Sequence, residues 1–456
     1  MRVYVTTLGC RLNFSEMERL ARELAARGHH VVNAPDDADL CVLNTCAVTT
    51  LAEAKSRSLA RALARSNSRA PLALTGCYAT LAPEPARRLP QVQLVVANDE
   101  KDRLADILDA WAGEVAPADL TQPDCPPFAA TRTRAFIKVQ DGCNNHCTFC
   151  IVSVARGPER SRPSADVVAE INARMDEGCQ EAVLTGVHLG GYGRDQGTDL
   201  ATLVRAILRQ TRLPRLRLSS LEPWDLAPAF FDLWPASEGR LCPHLHLPLQ
   251  SGCDATLRRM GRRYTASAYA RLVDLARARI PDLTLTTDVI VGFPGESESE
   301  FAQSLQFVER IGFAHLHVFP YSRRPGTAAA RLDGEVPEEV KRERSARMRE
   351  VDARSGRAVR RAHLNQVRPV LWEGEAQPGP TPDQRVWAGL TDNYLRVLAP
   401  APTDRDLHNQ ITPTRLSRLE GDALWGEVVT NHGELHPATT IALASFEGSP
   451  CGETTT

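Results

Sequence analysis

The 456-residue sequence predicts an α/β protein in three parts: an N-terminal parallel α/β sheet domain, a central open (β/α)6 barrel and a C-terminal small antiparallel β-barrel. Three observations predict it. Over residues 1–115, short apolar, β-branched runs alternate with a helical repeat, the pattern of a layered fold with a mainly parallel sheet. Over 131–325, within a central part that runs from 131 to 363, the alternation resumes with six strand-like runs. From 366 to 447 the helical period is lost, and short strand-like runs split by turns replace it. A prior of roughly 150 residues per domain likewise gives about three domains.

In the first part, "RVYVTT", "LCVLNT", "PLALTG" and "VQLVVA" read as strands. Between the first two, Met17, Leu20, Ala21, Leu24 and Ala25 fall at helical spacing, and Gly28 supplies the C-terminal stop. Residues 116–130, rich in Pro, Ala and Asp, read as a linker. The barrel strands are "AFIKVQ", "EAVLTG", "RLRLSS", "HLHLPL", "LTLTTDVIVG" and "AHLHVFPY", with helices such as "SADVVAEINARMDEG" and "SESEFAQSLQFVERIG" between them. In such barrels the active site lies where strands end and loops begin. Residues 335–363 form a basic helix, either a solvated connection or part of a polyanion footprint. "VRPVLWEG", "VWAGLTDNYLRVLAP" and "LWGEVVTN" supply the last barrel, and 448–456 is a tail.

Composition sets bounds. Hydrophobic content of 43% and charged content of 24% are those of a globular protein. No apolar run approaches the ~18 residues that span a bilayer, so no membrane association is expected. The N-terminus lacks the pattern of a signal peptide, which points to a cytoplasmic protein with reduced thiols. Twelve cysteines there suggest metal or catalysis rather than disulfides. With a net charge of −2, any nucleic-acid site must be a local patch.

The strongest chemical signal is "VQDGCNNHCTFC". Cys143, Cys147 and Cys150 lie on a loop after a strand. Thiolates are the usual ligands of iron–sulfur clusters, and three of them leave one iron of a four-iron cluster open. The competing arrangement is a zinc knuckle completed by His146 or a distant residue, which suits less well a motif that opens a (β/α) domain. A second set is dispersed. Cys10, Cys46 and Cys77 each sit just past a predicted strand of one parallel sheet, and ligands bind beyond the carboxyl ends of such strands. Their convergence suggests a second cluster. Cys41 reads as core, and Cys125, Cys179, Cys242, Cys253 and Cys451 show no pattern.

The C-x3-C-x2-C loop resembles that of the radical S-adenosylmethionine (SAM) superfamily. The whole arrangement is similar to the radical SAM methylthiotransferase family. "TLGCRLNFSEME", "NTCAVTTLAEAKSR", "QDGCNNHCTFC" and "TGVHLGGYGRD" resemble its threonylcarbamoyladenosine tRNA branch, and "GLTDNYLRV" is similar to the RNA-contacting part of a TRAM domain. Cys253 stands where the family commonly has serine. The resemblance implies two [4Fe-4S] clusters, a radical SAM cluster on Cys143, Cys147 and Cys150 and an auxiliary cluster on Cys10, Cys46 and Cys77. It implies SAM as cofactor and methylthiolation of C2 of N6-threonylcarbamoyladenosine at tRNA position 37. Phe149, Gly186, Ser220, Glu222 and Gly292 are then the candidate SAM contacts. Arg156, Arg160, Arg162, Asn393 and Tyr394 are candidate contacts to the tRNA anticodon loop. An electron donor and a sulfur donor are implied partners. The other readings are the same chemistry on isopentenyladenosine of tRNA or on an aspartate of a ribosomal protein, and a non-enzymatic, zinc-containing RNA-binding protein.

Overall fold

The computed structural model describes residues 1–115, 133–379 and 381–429; the linker 116–130, the end of the C-terminal region, the tail, Cys125 and Cys451 lie outside the described residues. The N-terminal sheet has five parallel strands. In chain order they are β1 (Arg2–Thr7), β2 (His30–Val32), β3 (Leu40–Thr45), β4 (Leu72–Gly76) and β5 (Val92–Val95), in the spatial order β2-β1-β3-β4-β5. All four strands read from the sequence are present, and the short β2 is added. Helices α1 (Arg11–Ala26), α2 (Thr50–Ser66), α3 (Cys77–Leu81), α4 (Pro83–Arg87) and α5 (Leu104–Val115) cover the sheet. Helix α1 starts earlier than its apolar repeat suggests, directly at Cys10, and Gly28 follows its end with φ +85°. Val3, Val5, Val42 and Ala73 face one apolar layer and Cys41, Leu43, Leu72 and Leu74 the other, so the sheet is buried on both sides.

The central part contains β6 (Arg134–Lys138), β7 (Gln140–Asp141), α6 (Val152–Arg156), β8 (Arg160–Ser161), α7 (Ser164–Asp176), β9 (Glu181–Thr185), α8 (Leu200–Gln210) and β10 (Arg215–Leu218). It continues with β11 (His244–His246), α9 (Asp254–Arg259), α10 (Ala266–Arg279), β12 (Thr284–Val291), α11 (Glu298–Ile311), β13 (His315–Pro320) and α12 (Glu338–Ala362). Two three-stranded parallel sheets, β10-β9-β6 and β11-β12-β13, are joined by parallel bridges Leu216–Leu241 and Ser220–His246. Together they make the open six-stranded barrel. Its helix-facing residues form one large apolar core. The basic stretch is α12, which packs on β13 and α11. Arg344, Arg347 and Arg354 pair with Glu296, Glu298 and Glu309, so part of its charge is neutralised within the fold.

The C-terminal strands β14 (Val367–Pro378), β15 (Gln384–Thr391), β16 (Arg396–Pro402), β17 (Ile411–Glu420) and β18 (Ala423–Val428) close a barrel in the order β14-β15-β16-β18-β17. Its pairings are antiparallel except one: β16 and β18 run parallel at Val397–Leu424 and Leu398–Trp425. The run "VWAGLTDNYLRVLAP" forms a hairpin, turned at Asp392–Leu395 with Tyr394 at φ +73°. No described helix is long and apolar enough to cross a membrane.

Candidate active site

Cys10, Cys46 and Cys77 lie beyond the carboxyl ends of β1, β3 and β4, three neighbours in one sheet. Cys46 and Cys77 are buried, and Cys10 is exposed. The Cys10 loop presses on Cys46: a Cβ added at Gly9, whose φ is +108°, would lie 2.9 Å from the Cys46 sulfur. The Cys77 sulfur lies 3.8 Å from Asn98 Nδ2, and Cys10 lies 3.9 Å from Asn13 Oδ1. Burial raises the Cys46 thiol above its ordinary value, and Cys77 and Cys10 push the same way. Such thiols ionise when a metal takes them, so this convergent, mostly dry donor set fits a three-thiolate cluster.

The second site is the loop after β7. The Cys143 sulfur accepts the Asn145 backbone N–H at 3.4 Å, and the Cys150 sulfur accepts that of Val152 at 3.4 Å. Arg262 Nη1 lies 3.5 Å from the Cys147 sulfur. N–H groups aimed at sulfur are the outer-shell contacts that cluster thiolates use. Burial pushes the Cys150 thiol up to about 12 and raises Cys143 as well. Gly142 makes the loop possible: at φ +71°, a Cβ there would sit 1.9 Å from the Pro158 carbonyl oxygen. His146 is exposed and joins no metal-grade group among the described residues. The group that includes Cys143 adds Glu159 and His188 instead. His188 is already held at 2.6 Å by Glu159 and 2.5 Å by Asp225. Three sulfurs with directed donors, and no free fourth protein ligand among the described residues, suit an iron–sulfur cluster better than a closed zinc site.

The residues singled out for SAM line the same end of the barrel. Phe149 stands edge-on to Phe293, with ring centroids 6.5 Å apart. Gly186 follows β9, where a Cβ would meet Gln140 Oε1 at 3.0 Å. Ser220 and Glu222 follow β10, and Glu222 pairs with Arg262, the residue that touches Cys147. Gly292 follows β12 at φ +70°; its N–H is bonded to Glu296 at 2.6 Å, and a Cβ would collide with Lys341.

The arginine and barrel expectations need correction. Arg156 is not free for phosphate. Its guanidinium is 2% exposed and is bound by Glu16 and Asp141, at 2.8 and 2.9 Å, and by Asn13 at 2.6 Å. Glu16 also takes Lys101 at 2.8 Å and Lys138 at 3.1 Å. Arg162 is tied to Glu170 and the Lys138 carbonyl, at 2.6 and 2.7 Å. Arg160 keeps a partly exposed side chain on β8. Asn393 is fully buried and bonds His363 at 2.9 Å and the Asp282 carbonyl at 3.2 Å. Tyr394 bonds Arg11 at 2.7 Å, stacks on His244 with centroids 4.7 Å apart, and lies beneath Arg217 at 4.7 Å. Both residues therefore close the floor of the central barrel rather than face RNA. Burial raises the Tyr394 phenol, but Arg11, Arg134 and Arg217 outweigh it and hold the group below its ordinary value.

The sequence reading missed Glu16, Lys101, His188 and Arg262. Asn13 and Glu16, polar and three apart on the buried side of an amphipathic helix, were the available hint for the first. For Arg262 there was no local signal.

The open barrel with a cysteine loop at its strand ends is the architecture of a radical SAM enzyme, and a second cysteine trio stands at the strand ends of the N-terminal sheet. Residues 2–97 match the uncharacterized protein family UPF0004, and residues 137–308 match the radical SAM superfamily. The threonylcarbamoyladenosine tRNA methylthiotransferase MtaB of Thermotoga maritima is 38% identical, covering 86% of this chain and 90% of the relative. The tRNA-2-methylthio-N(6)-dimethylallyladenosine synthase of Cereibacter sphaeroides is 36% identical, covering 87% and 92%. The chain belongs to the radical SAM methylthiotransferase family. The fold is also that of the radical SAM methyltransferase TsrM from Kitasatospora setae, with TM-score 0.54 at 16% identity over 70% of this chain and 72% of that one.

Proposed function

We propose that this enzyme methylthiolates C2 of N6-threonylcarbamoyladenosine at position 37 in the anticodon loop of tRNA, giving 2-methylthio-N6-threonylcarbamoyladenosine. One observation carries the reading: the two three-cysteine sites share a wall. Helix α6 begins two residues after Cys150, and its Ala155 belongs to the apolar core of the N-terminal domain. Asn98, which contacts Cys77, donates to the Ala155 carbonyl at 2.7 Å. On this reading a radical source at one trio and a sulfur carrier at the other would stand on either side of one short helix. Relatives named for this nucleoside match over most of the chain.

When bound, the clusters and SAM supply a 5′-deoxyadenosyl radical and a sulfur, which reach a C–H bond that acid–base chemistry does not readily break. Cys143, Cys147 and Cys150 hold the radical cluster, and Cys10, Cys46 and Cys77 the auxiliary one. Arg262 supports Cys147 and orients Glu222, while Phe149, Gly186, Ser220 and Gly292 line the SAM side. The Glu16–Arg156 pair ties helix α1, which begins after Cys10, to helix α6, which follows Cys150. The C-terminal barrel is assigned as the TRAM-like RNA-binding unit, with Arg160 and the exposed Arg396 and Arg415 taking phosphates. A tRNA substrate places the reaction in the cytoplasm and requires an electron donor and a sulfur donor there.

The test is mass spectrometry of tRNA nucleosides from a host with and without the gene. The product should vanish on deletion, return with the gene, and not return with Cys10→Ala or Cys147→Ala. Restoration of 2-methylthio-isopentenyladenosine instead would move the substrate to the other tRNA branch.

A further inference from the structure

Strands of the central barrel alternate between a helix-facing side and an inward side. On β11, β12 and β13 the helix-facing residues, among them Leu245, Leu285, Val289 and Leu316, belong to the main core. The residues between them turn inward, and three converge. Ligand atoms of His246, Asp288 and His317 all lie within 4.8 Å of one another. His246 Nε2 is 3.4 Å from Asp288 Oδ1, while its Nδ1 is fixed at 2.9 Å by the Thr286 hydroxyl. Apart from that 3.4 Å contact, the Asp288 carboxylate has no polar side-chain partner among the described residues, and the His317 ring nitrogens have no hydrogen bond there. Arg11, the residue after Cys10, enters the barrel from the β6 side: it stands over the Phe136 ring at 5.8 Å and donates to the Tyr394 hydroxyl at 2.7 Å.

A carboxylate acceptor, two imidazoles and a guanidinium, incompletely satisfied by one another, ask for a ligand that is itself charged and hydrogen-bonding. We propose that this inward wall is the subsite for the N6 substituent of the target adenosine, with Arg11 and His317 taking its carboxylate and Asp288 its hydroxyl. The inference rests on the tRNA methylthiotransferase reading and deepens it. A threonylcarbamoyl group supplies both partners. A dimethylallyl group supplies neither and would cover Asp288 with only its 3.4 Å contact to His246. Sites built to hydrogen-bond a group reject analogues lacking it by roughly 10⁴-fold or more, whereas apolar pockets discriminate weakly. Relatives named for the two nucleosides match this chain at 38% and 36% identity, so overall similarity does not choose between the substrates and the choice falls to the chemistry of the site.

The test uses the cluster-reconstituted full-length enzyme with anticodon stem-loop RNAs bearing either nucleoside. Readouts are binding by fluorescence anisotropy and separate kcat and KM. The parent should prefer the threonylcarbamoyl substrate by at least about a hundredfold. Asp288→Asn and His317→Phe, checked for unchanged iron content, should each cut that preference about tenfold or more, mainly through KM and binding. If the parent modifies threonylcarbamoyladenosine and both variants keep its preference, this inference alone is overturned. If the parent modifies only isopentenyladenosine, the functional reading fails and takes the inference with it.

Discussion

Glu16 shows what one residue does here. It is 2% exposed and faces Arg156, Lys101 and Lys138. Burial alone would raise its carboxyl, but the three cations hold it well below its ordinary 4.5. The folded value lies under the unfolded one. Its contribution to stability is therefore complete above the unfolded value and is lost as pH falls through the depressed folded one. Glu16→Gln should cost about 3–5 kcal/mol in urea unfolding of the apo-protein, because buried cations lose their partner. The same series repeated from about pH 5 downward should show a flatter loss of stability in the variant. The cysteines act one by one on the metal: Cys147→Ala and Cys46→Ala should each lower the iron of the reconstituted protein by about half, read by elemental analysis.

At the scale of the element, the hairpin turn between β15 and β16 matters most. Its Tyr394 sits at φ +73°, stacked on His244 and bonded to Arg11. Tyr394→Ala should destabilise the protein by about 3–5 kcal/mol, as losses of buried aromatics do. Tyr394→Phe, which keeps the ring, should leave tRNA affinity unchanged in a filter-binding assay. This turn also shows where sequence reading stops. The cysteine trios were legible because strand ends of parallel sheets are predictable and cysteine at several of them is rare by chance. The six barrel strands were legible from their apolar runs. Arg156, Asn393 and Tyr394 were not, because what decides an exposed or buried fate lies far away: Glu16 for Arg156, His363 and Asp282 for Asn393, Arg217 and His244 for Tyr394. A basic or aromatic residue in a loop carries the same local signal whether it meets RNA or a neighbouring domain.

For the whole molecule, the first two parts behave as one body. Ala155 of the central part is counted in the N-terminal core, and Lys138 and Arg156 end on Glu16 of the N-terminal helix. Shared cores and buried ion pairs couple domains that would otherwise unfold separately. Thermal unfolding of the apo-protein should therefore show one transition for residues 1–362, and a fragment starting at 133 should be digested by protease far faster than the full chain. Association with tRNA, by contrast, should weaken steeply with salt, as phosphate contacts require.

The floor of the central barrel has a bearing on timing. Arg215 donates to the carbonyls of Pro369 and Leu390, Thr284 to that of Asn393, and His244 rests on Tyr394. All of those covering groups are made late in synthesis. As the ribosome delivers the chain from its N-terminus, both cysteine sites emerge first, above a chamber still open beneath. The last-made segment is the one that seals it. A chain cut short before residue 366 would therefore keep both cysteine trios and lose the cover at the base of the barrel.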